Sequence, residues 1–500
     1  MLKRASGVLL PVFSLPSPYG VGTLGEEAYR FIDFLKEAGQ SYWQVLPMGP
    51  TSLGDSPYQS FSSFAGNPYF IDPRQFLEEG FLLENEIAAF DFGKDGGRVD
   101  YGKLYENRFS LLRKAYERGK ETFRGSMEEF CEKNPWVVDY ALFMSIKKSF
   151  GMKPVSGWES EALKKHNREA LLSFRQENAG EVDFWIFLQT VFYAQWEKLR
   201  AYAREKNIRF IGDLPIYTAM DSADVWSEPE MFDLSEDLSP NGVAGVPPDA
   251  FSDEGQLWGN PLYDYEQMRN DGFGWWIRRI DGASKLYDVI RIDHFRGFES
   301  YWRVESGAGT AKEGKWVKGP GMDLVGVITS WFPDLSFIAE DLGIITEDVR
   351  ELLAASGLPG MKVLQFAFES GKESRYLPHN IEKNSVCYIG THDNDTACGF
   401  AETMSAKDRR FAREYMHVTR GEGIPHALLR TGMESCSDLF IVTVQDLLGL
   451  SGAGRINTPG TFCGNWTWRM SPEDFEDLFR TAGDLRHMTE LYSRIPVGYN

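Results

Sequence analysis

The chain has 500 residues, of which 42% are hydrophobic, and a formal net charge of −20. That apolar fraction is enough for a large core, and the acidic balance argues against nucleic acid or an anionic membrane surface as partner, since both need basic patches. No apolar run approaches the roughly 20 residues of a membrane span, and the five scattered cysteines lack metal-type spacing, as expected of idle thiols in a reducing compartment.

The opening stretch, MLKRASGVLLPVFSLPSPYGVGTLG, is broken by Pro11 and Pro16 and runs straight into glycine-rich sequence. It reads as a first strand and loop and not as a secretory leader, which points to a cytoplasmic setting. Eight apolar runs predict short buried strands: 6–13, 41–48, 208–217, 288–295, 336–343, 361–368, 385–393 and 438–448. Helical spacing follows the first of them over 26–39, with a glycine stop, and recurs over 183–207. After the fifth, Thr346 is placed to cap a helix whose first turn carries Glu347 and Asp348.

Strand–helix alternation with eight strands predicts an α/β fold, a (β/α)₈ TIM-type barrel made of the whole chain, 1–500. The uneven spacing predicts large insertions over the C-terminal rim: a helical one at about 50–190 and a loop-and-helix one at about 218–285. A smaller helical excursion is expected at about 397–435.

Three strand ends carry carboxylates: Asp293 in VIRIDHFRGF, Glu340 in FIAEDLG and Asp393 in YIGTHDND. Asp213, in FIGDLPIY, ends another. One such group is commonly a loop cap. Four on one rim, beside Arg291, His294 and His392, would repel one another and raise one another's pKa, which suits an acid, a nucleophile and a counter-charge. Arg291 lies two residues before Asp293, so on a strand both point to one face. Its guanidinium is expected to keep Asp293 ionised, with Glu340 the group held protonated.

Three loops combine turn residues with aromatic and amide side chains. GDSPYQSFSSFAGNPYF holds Ser56, Tyr58 and Gln59; GVPPDAFSDEGQLWGNPLYD holds Asp249, Gln256 and Trp258; RINTPGTFCGNWTWR holds Asn465. Such residues stack on sugar faces and bind hydroxyls.

Taken in order, SLPSPYGVGTLG, SPYQSFSSFAGNPY, GVPPDAFSDEGQLWGNP, RIDHFRGFE, AEDLG, GMKVLQFAF, GTHDNDT and GNWTWR resemble the 4-alpha-glucanotransferases, the amylomaltase or disproportionating-enzyme family of the α-amylase clan, nearly end to end. The resemblance implies a catalytic barrel with helical inserts and no separate C-terminal β domain. It implies Asp293 as nucleophile, Glu340 as general acid/base and Asp393 as the carboxylate stabilising the transition state. Asp213, Arg291, His294 and His392 would hold the donor sugar, with Tyr58, Asp249, Gln256, Trp258 and Asn465 along the groove; Ser56 is a substrate-binding candidate from its loop alone. It implies an α-1,4-glucan donor, a glucose or maltooligosaccharide acceptor, no cofactor and no metal, in a monomer or small homo-oligomer. The chain departs from some members at Leu53 and Ala250, which are aromatic there, and in ACGF after HDNDT, where tryptophan is frequent.

Other readings of the same residues are an α-amylase-type retaining hydrolase, a metal-dependent barrel enzyme with the acids and histidines as ligands, and a glycan-binding scaffold without turnover.

Overall fold

The computed structural model describes residues 3–52, 54–248, 253–369, 374–461 and 463–496. Among these, the strands in chain order are β1 (Ala5–Leu9), β2 (Tyr42–Gln44), β3 (Arg209–Leu214), β4 (Gly242–Val246), β5 (Gln256–Pro261), β6 (Val289–Ile292), β7 (Ser300–Glu305), β8 (Gly314–Lys318), β9 (Ser336–Ala339), β10 (Gly360–Val363), β11 (Ser385–Tyr388) and β12 (Leu439–Thr443). Eight of them close a parallel barrel in the order β1-β12-β11-β10-β9-β6-β3-β2. Each of the eight apolar runs supplies one of these strands. Strands of a parallel barrel are buried on both faces and so read as unbroken apolar runs.

The runs overshoot their strands. Leu364–Glu369 and Val444–Leu447 are helical where strand is expected, and Phe295–Phe298 forms a single 3-10 turn. An apolar run does not by itself distinguish a strand from the buried helical turn that follows it. The helix Glu26–Glu37 buries Ala28, Phe31, Ile32, Phe34 and Leu35 against the barrel, each large side chain contributing about 1.5–3 kcal/mol. Gly39, with φ 70°, ends it. Thr346 does stand at the boundary of Glu347–Ser356, but its side chain makes no capping bond.

Between β2 and β3, the helices Tyr101–Lys133, Trp136–Ser149 and Ala179–Glu205 pack on one another through rings such as Phe123 and Phe187, 5.1 Å apart edge to face. The last of them returns to the barrel, where Trp196 donates to the Leu286 carbonyl at 3.0 Å. Arg108 is fully buried and binds the Tyr69 and Ile71 carbonyls, tying a helix of this group to the loop after β2.

Between β3 and β6 the sequence predicts loop and helix, and the structure corrects this. A four-stranded antiparallel sheet, ordered β5-β4-β7-β8, joins segments on both sides of β6. Its strands are short, and the pairing that unites its two hairpins, β4 with β7, joins residues such as Gly242 and Glu305 from opposite sides of β6, so no local pattern announces the sheet.

At the barrel's seam β1 pairs with β12, from Ala5 opposite Leu439 to Leu9 opposite Thr443. Arg494, fully buried, fastens that seam by donating to the carbonyls of Ala5 at 2.9 Å, Met433 at 2.8 Å and Ser437 at 3.2 Å. Among the described residues no helix is long and apolar enough to cross a membrane.

Candidate active site

The site grows from three adjacent strands, β3, β6 and β9. Asp213 pairs in register with Arg291, and Ile292 with Ala339. Asp293 and Glu340 are therefore each the first residue past a matched pair, on neighbouring strands about 4.7–4.9 Å apart. Gly212, just before Asp213, is required by close packing: a Cβ there would lie 2.0 Å from the Tyr287 ring.

Arg291 is buried and spends one nitrogen three ways. Its Nη1 donates to Asp213 Oδ1 at 2.6 Å, to Asp213 Oδ2 at 2.7 Å and to Asp293 Oδ1 at 3.0 Å. The expected pairing with Asp293 exists, but the shorter contacts go to Asp213, which register places directly opposite. Glu340 is held by backbone: His294 N–H donates to Oε2 at 2.7 Å and Leu342 N–H to Oε1 at 2.8 Å. The turn that carries Asp293 thus fixes the carboxyl of Glu340 directly. His294 sits at φ 48°, the left-handed conformation that aims its amide this way.

Burial pushes the Asp293 carboxyl well above the ordinary range, opposed by Arg291 and reinforced by Asp213 and Glu340. Burial also raises Glu340, against Arg291 and its two N–H donors. Three carboxyls thus gather around one guanidinium, and both Asp293 and Glu340 hold their protons more tightly than free carboxyls do. The sequence reading expects Asp293 ionised and Glu340 protonated; burial instead raises both carboxyls, that of Asp293 in spite of Arg291. The cause differs from the one expected, since burial outweighs the acidic neighbours.

Asp393 lies five residues past the end of β11. Asn457 Nδ2 donates to its Oδ1 at 2.6 Å, Arg455 donates to its carbonyl at 2.6 Å, and His392 Nε2 lies 3.4 Å from its Oδ2. Tyr58 reaches in from the loop after β2, its hydroxyl 2.9 Å from both Asp213 Oδ2 and His392 Nε2. Burial, then Asp213, raises the Tyr58 phenol well above its ordinary value and keeps it protonated. Burial lowers both histidines, His294 to about 3, so their rings are neutral.

Trp258, on β5, meets the His294 ring edge to face at 4.9 Å. Gln256 accepts from its indole N–H at 3.3 Å, and Gln59 donates to its carbonyl at 3.4 Å. Ser56 accepts from Tyr58 N–H at 3.3 Å and so shapes the loop. Asn465 spends its amide on its own turn, accepting from Thr458 N–H at 2.9 Å and donating to the Thr461 carbonyl at 3.0 Å. Asp249, Ala250 and Leu53 lie outside the described residues.

The sequence reading missed Trp466 and Asn457. Trp466 packs 5.7 Å from the Tyr58 ring and 6.0 Å from His392, held at φ 61° by its own N–H to the Ile456 carbonyl at 2.8 Å. Both residues belong to the RINTPGTFCGNWTWR loop, so the segment was marked but not these side chains. Among the described residues, no three or more His, Cys, Asp and Glu side chains are grouped to hold a metal ion.

A sequence profile for the family described as 4-alpha-glucanotransferase matches residues 10–474. A 4-alpha-glucanotransferase from Clostridium butyricum is 45% identical over 97% of this chain and 99% of its own length. One from Thermus thermophilus is 46% identical over 99% of this chain and 100% of its own. The amylomaltase from Streptococcus agalactiae, solved in complex with acarbose, superposes with a TM-score of 0.95 at 42% identity, covering 98% of this chain and 100% of that one. With the profile spanning most of the sequence and these relatives matched along their whole lengths, the chain belongs to the 4-alpha-glucanotransferase family.

Proposed function

We propose that the chain transfers a segment of an α-1,4-glucan to the 4-hydroxyl of glucose or a maltooligosaccharide by a retaining double displacement. The observation that carries this mechanism is the placement of Asp293 and Glu340 on adjacent strand ends, joined through the His294 amide. Retaining enzymes hold their two carboxyls about 5–5.5 Å apart, against roughly 6.5–9.5 Å for inversion, and adjacent strands suit the shorter distance.

In the first step Asp293 attacks the anomeric carbon as Glu340 gives its proton to the departing 4-oxygen. The C1–O bond breaks, a C1–Oδ bond forms, and the leaving chain departs with a free 4-hydroxyl. Glu340, now ionised, takes the proton of an incoming 4-hydroxyl whose oxygen attacks C1 from the side the first chain left, as the C1–Oδ bond breaks and Asp293 departs as a carboxylate. As positive charge develops on the ring, Asp393 and the Asp213–Arg291 pair offer fixed dipoles and net negative charge. His294 and His392 are neutral and serve hydroxyls without opposing that charge. In this reading Asp249 contributes to glucan binding, while Asn465 shapes the 458–465 turn. Residues 1–500 form one catalytic barrel with rim insertions at about 50–190, 218–285 and 397–435. The protein acts in the cytoplasm as a monomer or small homo-oligomer.

Chromatography of products from maltotriose alone tests the proposal. Transfer yields glucose and a ladder of longer chains with almost no rise in reducing ends, whereas an α-amylase-type hydrolase raises them steadily. Asp293→Ala should abolish both; near wild-type turnover would remove Asp293 from its role.

A further inference from the structure

Arg296 lies three residues beyond Asp293, on the 3-10 turn Phe295–Phe298. It is 3% exposed. Its guanidinium makes three contacts, each with a different part of the rim. Nη1 donates to the carbonyl of Ile344, at the far end of the loop that begins with Glu340. Nη2 donates to Ser300 Oγ, at the start of β7, at 2.8 Å. Its flat face lies 3.9 Å from the ring of Trp316 on β8. Trp316 is itself 41% exposed, unusual for a tryptophan unless its inner face is committed. It roofs the guanidinium and keeps water from competing for the two bonds.

The near end of the Glu340 loop is held independently: Met361 N–H donates to Asp341 Oδ1 at 2.6 Å, and Arg375 donates to the Asp341 carbonyl at 3.1 Å. The far end contains Gly343, at φ 83°. Between the two ends is Leu342, whose N–H binds Glu340 Oε1. We infer that Arg296, roofed by Trp316, is a positioning residue for proton transfer: by fixing the Ile344 carbonyl it holds the Leu342 amide against Glu340. This rests on the assignment of Glu340 as general acid/base. It assigns Arg296 no contact with substrate.

The test uses donors and acceptors that differ in their need for a proton. Maltotriose disproportionation needs Glu340 in both steps. An α-maltosyl fluoride donor with azide as acceptor needs it in neither: C1–F breaks as C1–Oδ of Asp293 forms, fluoride leaves, and azide then displaces the carboxylate. Arg296→Lys and Arg296→Ala should lose at least about tenfold in kcat on maltotriose, with KM within about twofold, because general acid–base catalysis is worth about 10²–10⁴. On the fluoride–azide pair both should stay within about threefold of wild type. Trp316→Ala, which leaves Arg296 in place, should show the same split to a smaller degree and covers the case of Arg296 variants that do not fold. The alkaline limb of kcat should move to higher pH, because Glu340 loses an N–H donor to its charged form while Arg291, Asp293, Asp341 and Tyr376 around it are unchanged. Equal losses on both reactions, or no loss on maltotriose, would overturn the inference. Glu340→Gln is the control: if the fluoride–azide pair fails to rescue it, the acid/base assignment fails instead.

Discussion

Tyr58 and His392 share a hydroxyl that has one proton to give. The phenol oxygen is 2.9 Å from Asp213 Oδ2 and 2.9 Å from His392 Nε2. Asp213, bound twice by Arg291, accepts; the phenol therefore donates to it, and the imidazole must donate to the phenol through Nε2–H. Asp393 Oδ2, 3.4 Å from the same nitrogen, favours the same tautomer. The neutral ring is thus fixed with its other nitrogen as the acceptor.

Tyr58→Phe should remove both bonds and release the tautomer. A loss of about 1.5–3 kcal/mol is expected for hydrogen bonds to charged groups, read as a fall of roughly tenfold to a hundredfold in kcat/KM. ¹⁵N spectra of labelled histidine should show the Nε2–H form in the wild type and a mixture in the variant. An unchanged spectrum together with unchanged kinetics would contradict the network.

Asn457 is the side chain that orients Asp393, through the 2.6 Å bond to Oδ1. If Asp393 acts mainly as the sugar ring flattens, Asn457→Ala should lower kcat by about tenfold, or 1.4 kcal/mol, and leave KM nearly unchanged. A rise in KM at constant kcat would place the interaction in the ground state.

Arg291 opposes the burial that raises Asp293. In Arg291→Lys the short, twofold hold on Asp213 and the reach to Asp293 cannot both survive. The carboxyl of Asp293 should then bind its proton more tightly, so the acid limb of kcat/KM, which requires the ionised nucleophile, moves to higher pH. A pH–rate profile decides it; a limb that stays put or moves down would sink the idea.

Asp224 is buried and accepts from Ser63 N–H at 2.8 Å, and burial raises its carboxyl to about 6. The folded state then holds more protons than the unfolded chain between about pH 4 and 6, so stability falls as pH rises through that window and stays lower above it. Asp224→Asn keeps an acceptor for Ser63 and removes the charge. Thermal melts should show the variant more stable than wild type at pH 8, by up to about 3 kcal/mol for a two-unit shift, and little different near pH 4. Equal curves at both pH values would count against it.

The barrel and its carboxylate rim were legible because parallel strands buried on both faces write themselves as apolar runs, and because charge at their ends has few structural excuses. DVIRIDHF supplies a strand, the Arg291 counter-charge and the Asp293 carboxylate within eight residues. What escaped was set by partners distant in sequence. The antiparallel sheet pairs Gly242–Val246 with Ser300–Glu305 across β6. Trp466 matters only because the 455–469 loop folds back over Tyr58. Asn465, the residue chosen there, is consumed by its own turn. Arg291 does reach Asp293, as its spacing predicts, but its stronger attachment to Asp213 follows from β3–β6 register, which no single segment encodes.

The seam between β1 and β12 has a bearing on biosynthesis. β1 waits for a strand that leaves the ribosome more than 400 residues later, and the Arg494 fastener comes later still. Until then the nascent barrel is an open sheet with an unpaired edge, the kind of surface that recruits neighbouring chains. Closure by such distant contacts is slow, so the yield of active protein in the cell should respond to holding chaperones, even though the finished ring has no edge to protect.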